Sequence, residues 1–88
     1  MDSITTRWLA DRAAVADVRS YCVTVRADGG VVHYDARPWL DSREHSDQAI
    51  DAAREVIQYT LDRGLATVVV RHADGPVLQL TPKGVALI

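Results

Sequence analysis

The chain has little of several residue types: one cysteine, Cys22, no phenylalanine, and only 6% aromatic residues. A single cysteine excludes an internal disulfide, so cysteine usage gives no sign of an oxidising compartment. The apolar runs are far shorter than the roughly 20 residues that a membrane-spanning helix needs. The first residues also lack the basic start and apolar centre of a secretory signal. We therefore expect a cytoplasmic protein without a membrane segment.

Neither sign of charge dominates, since ten basic and twelve acidic residues give a net charge of −2. This balance argues against a surface dominated by phosphate-binding cations. Nine of the bases are arginine and ten of the acids are aspartate, a bias that indicates a GC-rich bacterial or phage genome. The hydrophobic content of 48% is typical of a folded protein. A chain of 88 residues has room for one domain, over 1–88.

The spacing of apolar residues predicts two helices. The first covers residues 3–16, with Ser3 as its N-cap and Ile4, Trp8, Leu9 and Val15 roughly on one side. The second begins at Ser46 or Asp47 and ends at Gly64, which is typical of a left-handed helix stop. Its apolar stripe repeats every three or four residues and consists of Ala49, Ile50, Ala53, Val56, Ile57, Thr60 and Leu61.

Alternation of apolar and polar residues predicts two β-hairpins, over residues 19–36 and 66–81, with a connecting loop over 37–45. A turn at Asp28-Gly29 pairs Val25 with Val32, Val23 with Tyr34, and Tyr21 with Ala36 on one apolar face. A turn at Gly29-Gly30 shifts the partners by one position on the second strand but keeps the same apolar face. The order of elements is therefore α-ββ-α-ββ. It predicts an α+β domain with a four-stranded antiparallel sheet and two helices on one face.

One polar cluster could take part in catalysis or metal binding. It consists of Cys22, His33 and Asp35, which are predicted on the outer face of the first hairpin. These residue types can supply a nucleophile with its base, or metal ligands. A flat strand face has no pocket that could exclude water or orient a substrate. We therefore favour a solvated sheet face and expect no catalytic residue, no cofactor and no metal site.

Two parts of the chain resemble known families. Residues 61–88 resemble the end of the recognition helix, the wing hairpin and the following turn of winged-helix transcriptional regulators. The motif that carries this resemblance best is Leu80-Thr81-Pro82-Lys83-Gly84. The resemblance implies DNA binding, with contacts from Arg71, His72 and Lys83. Residues 21–55 resemble the hairpin, loop and helix of HicB-type antitoxin domains, which implies contact with a protein partner.

Apolar residues also fall outside the predicted core. Val69 and Val77 are expected on the outer sheet face, and Leu87 and Ile88 lie at the C-terminus. Such exposed apolar groups are typical of an interface, either with a partner or within a homodimer. The sequence therefore predicts a non-enzymatic protein-binding module, such as an inhibitor, an antitoxin-like protein or an adaptor. The alternative is a winged-helix-like DNA-binding transcriptional regulator.

Overall fold

The computed structural model describes residues 3–88, and its strands form one antiparallel sheet in the order β1-β2-β4-β3. The elements are α1 (Ser3–Tyr21), β1 (Val23–Arg26), β2 (Val32–Asp35), α2 (Arg37–Leu40), α3 (Asp47–Asp62), β3 (Ala66–His72), β4 (Gly75–Leu80) and α4 (Pro82–Val85). The predicted α+β class with a four-stranded antiparallel sheet is confirmed. The short helices α2 and α4 are additions, and α2 lies where a loop was expected.

Helix α1 continues to Tyr21, five residues beyond its predicted end. No glycine or proline occurs between Ser3 and Tyr21, so no residue in this stretch stops the helix. The amide of Cys22 still donates to the carbonyl of Val18 at 3.0 Å. The expectation that a strand begins at residue 19 is therefore wrong.

Helix α3 forms where it was predicted, because both of its ends are specified locally. The Ser46 side chain accepts a hydrogen bond from the amide of Ala49 at 3.1 Å. At the other end, Gly64 has a φ of +70°, the left-handed conformation that ends many helices. Leu65 then turns into the core, where it is fully buried.

Residues at the start of α4 donate hydrogen bonds to the carbonyls of the segment that follows α3. The carbonyls of Arg63, Gly64 and Leu65 accept hydrogen bonds from Lys83 Nζ, Thr81 Oγ1 and the Thr81 amide, at 3.0, 2.6 and 3.0 Å. A Cβ at Gly84 would lie 2.1 Å from the Leu65 carbonyl oxygen, so only glycine fits there. The motif Leu80-Thr81-Pro82-Lys83-Gly84 therefore has a structural role.

The first hairpin does not have the register predicted for a turn at Asp28-Gly29. Its partners are shifted by one position on the second strand, as in the alternative, but the predicted apolar face is not kept. Its loop has three residues, Asp28 to Gly30, closed by a 2.7 Å hydrogen bond from the Ala27 amide to the Val31 carbonyl. Val23 consequently pairs with Asp35, and Val25 pairs with His33. A shift of one residue reverses the faces of a strand.

The reversal changes which side chains of the first hairpin the core covers, and all four residues of β1 itself are exposed. Val23 and Val25 lie on the outer face and are about half exposed, whereas the predicted register buried them. Cys22 is buried in the core together with Tyr34 and Ala36. The predicted apolar face of β1 is therefore its outer face.

The core lies between the inner face of the sheet and the helices. Its fully buried side chains include Val15, Val18, Leu65 and Leu78. Leu40 is buried, and Trp39 stacks on His45 with ring centroids 3.8 Å apart. Within residues 3–88 no helix is both long enough and apolar enough to cross a bilayer.

Candidate protein-binding surfaces

The outer face of the sheet carries an apolar surface that we call the outer valine patch: Val23, Val25, Val69, Val70 and Val77. Four of these valines are 40–49% exposed, and Val77 is half-buried. Val23 and Val77 pair with Asp35 from its two sides, and Val70 pairs with Val77. These residues form one row across the sheet, so the patch extends from one edge strand to the other.

A β-bulge in β3 enlarges this patch. Val68 pairs with Leu78 and Val70 pairs with Val77, so Val69 is an extra residue between them. A bulge bends the strand and interrupts its ladder. As a result two consecutive valines, Val69 and Val70, are exposed. Of the predicted interface residues, Val69 and Val77 thus belong to one surface.

The only charged group in the row is neutralised within the sheet. Asp35 accepts hydrogen bonds from Arg37 Nε at 3.0 Å and from Arg37 Nη2 at 2.9 Å. These hydrogen bonds lower the pKa of Asp35, despite its partial burial. Because both of its oxygens are occupied, the carboxylate does not interrupt the patch with an unpaired charge.

Both edge strands are poorly suited to pairing with another strand. Strand β1 has only four residues, and β3 contains the bulge. Short edges and bulges are devices that limit edge-to-edge association. The face of the sheet, rather than its edges, is therefore the surface available to a partner.

The polar cluster predicted on the first hairpin does not assemble. Cys22 is buried in the core, whereas His33 pairs with Val25 and lies on the outer face with Asp35. Burial, followed by the charge of Asp35, raises the pKa of the Cys22 thiol to about 11. A thiol with this pKa is not a ready nucleophile. Residues 3–88 contain no group of three side chains placed to hold a metal ion.

The three predicted DNA contacts also lie apart. Arg71 and His72 are at the tip of the β3–β4 hairpin, opposite Pro76 and Gly75. Lys83 follows the other end of β4, roughly 20 Å along the strand. Its amino group is hydrogen-bonded to the end of α3. Most of the charged residues on the exposed side of α3 are acids, which phosphates repel: Asp47, Asp51, Glu55 and Asp62, with Arg54 as the base among them.

A buried ion pair that sequence reasoning missed joins α1 to α3. Asp11 is only 5% exposed and accepts hydrogen bonds from Arg63 Nε at 3.0 Å, Arg63 Nη2 at 2.9 Å and the Tyr59 hydroxyl at 2.7 Å. The Arg63 hydrogen bonds outweigh burial and lower the pKa of Asp11 to about 2. The available signal was the position of Asp11, which shares the apolar stripe of Val15 and Val18.

Beside this ion pair lies a cleft of about 510 Å³ between the start of α1 and the C-terminal segment, which we call the α1–α4 cleft. Arg7 and Trp8 line one side, and Lys83 and Leu87 line the other. Ile88, which is 61% exposed, lines a separate depression together with Val31 and Val85. The four predicted interface residues therefore lie on three surfaces: Val69 and Val77 on the outer valine patch, Leu87 in the α1–α4 cleft, and Ile88 in this depression.

No family model, curated protein or solved structure matches this chain. Its function is therefore inferred from these surfaces.

Proposed function

We propose that the chain is a non-enzymatic protein-binding module whose partner packs on the outer valine patch. The exposure of this patch is the observation that carries the proposal. An antiparallel sheet that faces water normally carries polar side chains on that face. Here valines occupy both edge strands, and each is about half exposed. An exposed apolar surface of this kind marks an interaction site.

The shape of the face favours a protein partner over a small substrate. Small-molecule sites are concave and surround most of the ligand, whereas this face is one side of a slab 17 Å thick. Burying the exposed half of a valine side chain contributes about 1 kcal/mol. Several valines together supply binding free energy without a pocket. An inhibitor, an antitoxin-like protein or an adaptor would act in this way.

The test compares two aspartate substitutions that differ in position. Val70→Asp places a charge in the outer valine patch, and Ala52→Asp places one on the exposed side of α3. Each immobilised protein is incubated with extract of its source cells, after circular dichroism has shown that it is folded. We expect a partner that the parent and Ala52→Asp proteins retain and that Val70→Asp loses. Equal retention by all three proteins, or none by the parent, would contradict the proposal.

DNA binding is the second candidate. Helix α3 leads directly into the β3–β4 hairpin, which is the order that the winged-helix resemblance implies, and Arg71 is exposed near the hairpin tip. Size-exclusion chromatography with light scattering, run with a short GC-rich duplex, tests this candidate. A salt-sensitive complex that Arg71→Ala weakens would rank DNA binding first. A monomer or dimer that ignores DNA would leave the protein-binding proposal in place.

A further inference from the structure

The apolar stripe of α1 extends beyond the part that the core covers. Asp11, Val15 and Val18 follow one another at spacings of four and three residues, and all three are buried. Trp8 is one step earlier on this stripe and is 47% exposed. The large apolar side chain therefore faces the α1–α4 cleft, with Leu87 on the opposite side.

Among the described residues that line the cleft, three are cations, Arg7, Arg63 and Lys83, and one is an acid, Asp11. Arg63 is paired with Asp11, whose two oxygens are both occupied. Lys83 donates to a neutral carbonyl, and Arg7 is exposed. Among residues 3–88 the ion pairs within 4 Å are Asp11–Arg63 and Asp35–Arg37, so neither Arg7 nor Lys83 has a carboxylate partner there. This local excess of positive charge contrasts with the net charge of −2 for the whole chain.

We propose that the α1–α4 cleft binds an acidic segment of a partner protein. A large apolar side chain of this segment packs between Trp8 and Leu87, and neighbouring carboxylates contact Arg7 and Lys83. The apolar walls and the two cations require an occupant that is apolar and anionic at once, which an acidic, leucine-containing peptide satisfies. The inference goes beyond the sheet face. Its variants leave the outer valine patch unchanged, so the two experiments can fail separately.

The NMR signals of the two tryptophan side chains show where the peptide binds. A ¹⁵N correlation spectrum reports the indole N–H of Trp8, assigned with a Trp39→Phe variant in which Trp8 is the remaining tryptophan. The probe is a short blocked peptide of alternating Glu and Leu pairs. We expect it to shift the Trp8 indole signal saturably and to leave that of Trp39, which packs against Tyr21 and His45, in place.

The role of charge is tested by comparing the affinities of variants for the labelled peptide, measured by fluorescence anisotropy. Arg7→Gln should weaken binding about tenfold, because it removes a charge-assisted hydrogen-bond donor. Arg19→Gln is the matched control, since it removes an exposed arginine from the other end of α1 and should change nothing. A peptide with Lys in place of Glu should not bind, and one with Ser in place of Leu should bind much more weakly.

Several outcomes would overturn the proposal. These are no Trp8 shift at millimolar peptide, equal binding of the Glu and Lys peptides, or equal weakening by Arg7→Gln and Arg19→Gln. Binding of laurate as tight as that of the peptide would assign the cleft to a small amphiphile instead. A dimer of the protein alone that Trp8→Ala dissociates would show that a second copy fills the cleft.

Discussion

Replacing Asp11 by asparagine tests the buried ion pair, because the two side chains have nearly the same shape. The pKa of Asp11 is about 2 in the folded chain against an ordinary value of 3.8. This difference corresponds to about 2 kcal/mol of folding free energy, at about 1.4 kcal/mol for each pH unit. Only 7% of the Asp11 side chain is exposed, so solvent screens little of it. We expect Asp11→Asn to lower the free energy of unfolding by about 2 kcal/mol at pH 7.

The pH dependence of this loss follows from the sign of the shift. Because the folded pKa lies below the unfolded one, the stabilisation is fully present above about pH 5 and disappears as the pH falls towards 2. At low pH the protonated Asp11 resembles asparagine. The difference between parent and variant should therefore shrink towards zero. Urea unfolding followed by circular dichroism at pH 7 and near pH 2 measures both values.

A matched control removes a carboxylate that is neither buried nor paired with an arginine. Asp51→Asn changes an exposed aspartate on α3 and should alter stability by less than about 0.5 kcal/mol. Two results would refute the reasoning about Asp11. One is a loss at pH 7 as small as that of the control, and the other is a loss of the same size at both pH values.

Three further predictions concern the fold. Gly84→Ala should destabilise the chain by at least about 2 kcal/mol, because its Cβ would overlap the Leu65 carbonyl; unchanged urea unfolding would exclude this contact. Ser46→Ala should cost about 1 kcal/mol through loss of the α3 cap, and a cost near zero in the same assay would contradict that role. Cys22 should resist iodoacetamide at pH 8 in the native chain and react rapidly in urea, because the thiol is buried and its pKa is about 11. Rapid native labelling, followed by mass spectrometry, would mean that Cys22 is accessible.

The second half of the chain could be predicted because its signals are local. Ser46 begins α3 and Gly64 ends it. The turn before Gly75 separates two strands that the pattern of apolar and polar residues indicates. Each of these positions specifies a backbone conformation without help from distant residues. The sequence therefore defines α3 and the second hairpin well.

The first hairpin could not be predicted to the residue. Asp28, Gly29 and Gly30 allow loops of two or three residues, and the chosen loop length decides the register. In β1 the valines Val23 and Val25 lie on one face, and Thr24 and Arg26 lie on the other. Hydrophobicity alone therefore favours burial of the valine face, whereas the structure places that face outward.

The candidate surfaces were predictable only in part. Val77 could be assigned to the outer face from strand alternation, whereas β3 is apolar on both faces and its bulge decides that Val69 and Val70 are exposed together. The pairing of Asp11 with Arg63 joins residues that are 52 positions apart, and no local pattern connects them. The α1–α4 cleft depends on another long-range contact, between α1 and α4.

The end of α3 has a consequence for how the chain unfolds. Three consecutive carbonyls, from Arg63 to Leu65, find their donors only in Thr81 and Lys83, which follow the complete β3–β4 hairpin. The last turn of the helix is closed locally, since the amides of Arg63, Gly64 and Leu65 donate to carbonyls of that turn, but the segment that leaves the helix is held by residues beyond the hairpin. The end of α3 and the hairpin therefore stabilise each other. We therefore expect them to melt in a single all-or-none transition.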